Sequence, residues 1–199
     1  MPQTDLSPQI TELLLQSLEH EKGGIQVYTA ALQCVQNDDL REEWEKYLEQ
    51  TERHVEVLSA VCGSLKIDAD RETPGRQVVR HMGQSLVQAM QMARKAGDPA
   101  AAELVACECV VLAETKDHLD WQLIGQCAEK ALKGTPAQLL KDAYDEVEDQ
   151  EDEHVYHSKG WCRELWLQSL GMAAVLPPPE EERHVKTAMG QARAEQTRR

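Results

Sequence analysis

Apolar residues recur at helical spacing through most of the chain, and no stretch shows a convincing strand-type alternation. A first helix is expected from about Ser7 to Gln36, with Ile10, Leu14, Glu21, Ile25, Tyr28 and Leu32 on one stripe. Asn37 and the two aspartates after it form a turn and a cap. A second helix follows from about Asp39 to Leu65, striped by Leu40, Trp44, Leu48, Thr51, Val55, Leu58 and Cys62, with His54 at the edge. Pro74 and Gly75 then break the pattern before a shorter helix of about Arg76 to Ala96. Gly97 ends it, Asp98 caps the next helix, and Pro99 suits a first helical position. A third long helix is expected from Pro99 to Leu132, with Leu104, Cys107, Val111, Glu114, His118 and Trp121 along one side. Gly134-Thr135-Pro136 marks another stop and start. The fourth runs from about Pro136 to Leu170 on Leu140, Tyr144, Val147, Glu151, His154, Val155 and Trp161.

Two long helices, a helical connection and two more long helices predict an all-α four-helix bundle over residues 1–170 with one long crossover. Such a crossover reverses the second hairpin relative to the first, so a pseudo-twofold axis brings equivalent residues together. Residues 171–199, opened by Pro177, Pro178 and Pro179, are expected to form an extended or partly helical charged tail.

Composition narrows the partners. The 28% charged and 41% hydrophobic residues are ordinary for a water-soluble domain. A net charge of −14 argues against nucleic acid and favours cations. No apolar run is long enough for a membrane helix, and the first twenty residues show no secretory pattern. The six cysteines form no CxxC, which fits reduced thiols in a cytoplasmic protein better than a disulfide framework.

Chemistry enters where polar residues interrupt the stripes. Glu21 and Glu114 each stand seven residues before a large aromatic, Tyr28 and Trp121, and each is followed one helix later by a histidine, His54 and His154. Cysteines keep the same register: Cys34 and Cys127 thirteen residues after each Glu, Cys62 and Cys162 eight after each His. The chain therefore reads as a duplication. A carboxylate buried in a core stripe is costly unless a cation or strong donor meets it. Glu151 lies three residues before His154, so both project from nearly one face and can share a metal ion. Carboxylate oxygen with imidazole nitrogen suits iron or manganese.

With Glu21-x6-Tyr28, His54, Glu114-x6-Trp121 and Glu151-x-x-His154 in this order, residues 7–170 resemble the ferritin-like superfamily of di-iron carboxylate proteins, such as bacterioferritins and rubrerythrins. The resemblance implies terminal ligands Glu21 and Glu114, a bridging Glu151, and His54 and His154 each capping one metal. It further implies reaction of iron with O2 or peroxide, of ferroxidase or peroxide-reducing type, and assembly into a homo-oligomer. One position departs: Thr51 stands where the family has a second bridging Glu. His118, one turn after Glu114, offers a replacement nitrogen, and His157 a weaker one. A two-iron centre, a one-ion variant and a metal-free bundle all remain compatible with this pattern. In the metal-free case the chain is a non-catalytic helical interaction protein that binds through its tail. The cysteines fall toward the two ends of the bundle, roughly 12 to 20 Å from the metal level, and are not expected to be ligands.

Overall fold

A computed structural model describes residues 6–198; Arg199, the last residue of the expected tail, lies outside the described residues. The chain is helical throughout, with no strand among the described residues. Four long helices carry it: α1 (Pro8–Ala31), α2 (Asp38–Ser64), α4 (Pro99–Gln126) and α5 (Thr135–Ser169). Between α2 and α4 runs the crossover helix α3 (Pro74–Lys95). α1 packs on α2 and α4, and α5 packs on α4 and α2, so the four long helices close a ring; α3 covers the outside of α1 and α4.

Local chemistry sets the helix ends. Asn37 accepts a hydrogen bond from the Leu40 N–H at 3.1 Å, and Asp98 accepts from the N–H groups of Ala100 and Ala101. Gly97 closes α3 with φ at 86°, a conformation that favours glycine. α1 stops at Ala31, earlier than the periodicity suggests. The chain after it turns under Glu103 of α4, whose carboxylate accepts from the N–H groups of Gln36 and Asn37 at 2.7 Å each. Beyond α4, residues Cys127–Ala131 continue as a wider π-helical turn.

Two apolar clusters fill the ring. Val27, Tyr28, Leu40, Trp44, Tyr47, Val110 and Trp161 belong to one. Leu14, Leu18, Leu58, Trp121, Ile124, Leu140 and Val147 belong to the other. Each leucine fully buried here contributes about 1.5–3 kcal/mol. The crossover is pinned by charge instead. Arg76, 3% exposed, donates to buried Glu19 at 2.6 and 3.1 Å and to the carbonyls of Ala69 and Arg71. Arg80 binds the same carboxylate.

The tail takes the partly helical of the two expected forms. It forms two short helices, α6 (Pro179–Glu182) and α7 (Ala188–Gln196). Arg163 of α5 donates to Glu180 at 2.7 and 2.9 Å, and Glu164 accepts from the Val175 N–H and from Arg198. Val185 and Ala194 are buried by this docking. Several of the tail's charges thus find partners on α5.

Candidate metal centre

The residues that break the stripes meet midway along the ring, between the two apolar clusters. α1 brings Glu21, α2 His54, α4 Glu114, and α5 Glu151 and His154; each is at most 3% exposed. Their ligand atoms form two compact groups, Glu21 with His54 and Glu151, and Glu114 with Glu151 and His154, each spanning no more than 4.8 Å. Glu151 is common to both. His54 Nδ1 lies 3.1 Å from Glu151 Oε1 and 3.4 Å from Glu21 Oε1. His154 Nδ1 lies 3.4 Å from Glu114 Oε2 and 3.6 Å from Glu151 Oε1.

These are spacings that a shared ion produces, because donors held at about 2.1 Å on adjacent coordination positions stand about 3.0–3.4 Å apart. The atoms concerned are otherwise unsatisfied. Glu21 Oε2, Glu114 Oε2, both oxygens of Glu151 and the Nδ1 atoms of His54 and His154 are buried without a hydrogen-bond partner. Buried polar atoms normally have partners, and this concentration of unpaired ones at one point could hold a metal ion.

The surroundings orient this set with crossed symmetry. Tyr28 of α1 donates its hydroxyl to Glu114 at 2.8 Å, and Trp121 of α4 donates its indole N–H to Glu21 at 2.6 Å. Each aromatic thus serves the carboxylate of the opposite half. His54 Nε2 meets Gln150 Oε1 at 2.9 Å, and His154 Nε2 meets Gln50 Oε1 at 2.8 Å. With an amide oxygen at each Nε2, that nitrogen carries the proton and Nδ1 is directed at the centre. The two imidazole rings stack with centroids 5.7 Å apart.

Electrostatics agree with the geometry. Burial opposes a charge on His54, but Glu21 and Glu151 together push its pKa up to about 11. Burial, with Glu21 adding repulsion, raises Glu151 to about 7 despite the pull of His54. Glu114 is also opposed by burial, but the nearness of His154 and the hydrogen bond from Tyr28 hold it below the ordinary carboxylate range. Without a metal ion, the charge on His54 is what holds the neighbouring acidic groups together.

Two sequence expectations need correction. His118 does not join the centre. Its Nδ1 lies 3.3 Å from Asp152, its Nε2 contacts Gln122, and it is half-buried at the outer edge of the α4–α5 seam. His157 instead meets the Tyr47 hydroxyl at 2.9 Å. The second correction concerns which face of α4 is inward. Ala102, Ala106, Val110, Ala113 and Ile124 are buried, whereas Leu104 and Val111 are only half-buried. The inner face is therefore centred to one side of Glu114, where Asp117 lies, and His118 falls on the other side. Asp117 is buried, its Oδ1 has no partner, and burial with the charges of Glu21, Glu151 and Glu114 holds it well above the ordinary carboxylate range. Sequence reasoning also missed Gln50 and Gln150, although both stand four residues before a predicted histidine.

No family model, no curated protein and no solved structure matches this chain. Among the described residues, no helix is long and apolar enough to cross a membrane.

Proposed function

We propose that the chain is a ferritin-like metalloprotein whose centre holds two divalent iron ions, with manganese as the alternative metal, and reacts with O2 or peroxide. The observation that carries this reading is the pair of ligand groups sharing Glu151, with buried ligand atoms that lack any other partner. Carboxylate and imidazole together suit iron and manganese, and the helix order that supplies them is that of the ferritin-like proteins. Bound Fe(II) would supply the electrons that reduce oxygen or peroxide.

The chain's own residues account for the rest. Glu21 and His54 hold one side, Glu114 and His154 the other, and Glu151 spans them. Gln50 and Gln150 fix the imidazole orientation, which keeps Nδ1 aimed at the ion. Tyr28 and Trp121 hydrogen-bond the terminal carboxylates and bring oxidisable rings beside the centre. The apolar clusters at both ends exclude water, which strengthens charge interactions inside.

A cytoplasmic setting and an assembly of like chains belong to the same proposal. Val78 and Met82 of α3 with Leu112 and Leu119 of α4 are exposed apolar residues that support the latter. The second reading, an interaction protein that binds through its tail, takes Thr51 as the mark of a retired centre.

Anaerobic loading with Fe(II) followed by air tests the proposal. Oxygen uptake with appearance of ferric absorption, absent in Glu151→Ala, is the expected result. Iron-loaded protein that consumes no oxygen or peroxide contradicts the chemistry assigned here.

A further inference from the structure

Matched places in the two hairpins carry unlike residues. Asp117 follows Glu114 by three positions on α4, as Gly24 follows Glu21 on α1; Glu151 precedes His154 by three on α5, as Thr51 precedes His54 on α2. In the first hairpin both residues are small and they touch. A Cβ placed on Gly24 would stand 3.1 Å from Thr51 Cγ2. The Thr51 hydroxyl is turned onto its own helix, donating to the Tyr47 carbonyl at 2.8 Å. In the second hairpin both are acidic and buried, with Asp117 4% and Glu151 1% exposed.

Asp117 has no structural partner to explain it. Its Oδ1 is buried and unpaired, and no hydrogen bond or ion pair reaches its carboxyl among the described residues. The adjacent Lys116 is engaged with Asp120. The charges that Asp117 feels most strongly are those of Glu21, Glu151, Glu114 and Asp120, all of its own sign. A carboxylate kept in that position is costly unless a cation arrives.

Charge balance shows why it is kept. Glu21, Glu114 and Glu151 alone leave two divalent ions short of one negative charge in a dry site. Asp117 restores neutrality, with four carboxylates and two imidazoles around two ions. Resting on the metal-centre reading above, we infer that Asp117 supplies the carboxylate that Thr51 lacks and binds the ion held by Glu21, His54 and Glu151. The ligand is moved across the ring, from α2 to α4, while the set of donor types is preserved. Asp117 lies outside the two compact groups, so rotation about its side-chain bonds accompanies metal binding.

The test compares the full chain with Asp117→Asn and with Asp117→Asn combined with Thr51→Glu. Fe(II) and Mn(II) titrations, elemental analysis and the Tm of the metal-stripped proteins are read together. The unsubstituted chain is expected to bind about two ions, one of which Asp117→Asn weakens by roughly tenfold or more. The same substitution raises the Tm of the stripped protein, because it removes a buried carboxyl whose ionised form no partner stabilises. Adding Thr51→Glu returns the lost affinity. If Asp117→Asn binds both ions with unchanged affinity, Asp117 is not a ligand, and the centre stands without it. If it lowers the stripped Tm and leaves metal binding intact, Asp117 is a structural strut and the inference is overturned. If the unsubstituted chain binds no ion, the metal-centre reading fails first, and the inference falls with it.

Discussion

The two hairpins, α1–α2 and α4–α5, fold alike and place equivalent residues at one centre, yet they differ in what surrounds the shared pattern. Both supply a Glu, an imidazole, an aromatic donor and a glutamine behind the imidazole. The first hairpin has Gly24 and Thr51 where the second has Asp117 and Glu151. Outside the ring the contrast reverses. Glu19 of α1 is buried by Arg76 and Arg80 of the crossover, whereas its counterpart Leu112 on α4 is 62% exposed. The first half has thus become the scaffold side and the second the acid-rich side. On the proposed reading, the carboxylate that Thr51 lacks in the first half is supplied by Asp117 of the second.

The comparison breaks most completely at Glu151, which serves both halves. Glu151→Ala is expected to reduce metal content from about two ions to none while the helical circular dichroism persists. Metal content left at the unsubstituted level would show that the two groups do not share this carboxylate.

Stability should separate the outer faces next. Arg76→Ala leaves Glu19 with Arg80 as its one guanidinium partner and frees the carbonyls of Ala69 and Arg71, and should cost about 1–3 kcal/mol in denaturant unfolding, whereas Leu112→Ser should stay within about 0.5 kcal/mol. Equal costs would mean that the crossover does not stabilise one half preferentially.

Substitutions confined to one half sharpen the contrast at the centre. Glu21→Ala and His54→Ala should each remove the ion of the first group and leave one ion bound. Glu114→Ala and His154→Ala should do the same for the second. Metal titration with elemental analysis reads the outcome, and a variant retaining both ions at full affinity removes that residue from the ligand set.

The proton balance gives a subtler handle. Glu151 is raised from 4.5 to about 7, so the folded, metal-stripped chain resists its ionisation and loses stability from this group as pH rises across that interval. His54, raised from 6.5 to about 11, contributes stability that is complete below about 6.5 and lost as pH rises through about 11. The metal-stripped Glu151→Gln variant should therefore gain Tm relative to the unsubstituted chain between pH 5 and pH 8. Metal binding releases these protons, so affinity should rise over the same range. A Tm difference independent of pH would contradict the assigned shift.

The smallest effects belong to the crossed aromatics. Tyr28→Phe and Trp121→Phe each remove one hydrogen bond to a terminal carboxylate, a loss of about 1.5–3 kcal/mol at most, read as weaker binding of one ion. Tyr28→Phe should weaken the Glu114 side and Trp121→Phe the Glu21 side. The reverse assignment would show that the two halves do not exchange their supporting donors.

Much of this arrangement was legible in the sequence because long helices write their stripes and stops plainly. Asn37, Gly97, Asp98 and Gly134 mark breaks that the structure places at helix ends. Glu21, Glu114, Glu151 and His154 stood out as polar residues in apolar stripes, and the structure brings them together with His54. α4 was the hard element. Leu112, Leu119 and Leu123 make it apolar on its outer side as well, so its inward direction could not be read from hydrophobicity alone. That ambiguity promoted His118 and hid Asp117, which lie on opposite sides of Glu114. The tail is partly helical, one of the two forms expected, but its docking was not legible: Glu180 is held by Arg163 and Arg198 is held by Glu164. Pairing across distant segments leaves no local signal.

Metal counting tests the proposed two-ion centre most directly. Protein stripped with chelator, reloaded anaerobically with Fe(II) and freed of excess metal should retain about two iron ions per chain. Retention of none, with the helical fold intact, would contradict a two-ion centre and identify the buried Glu–His crowd as a retired site.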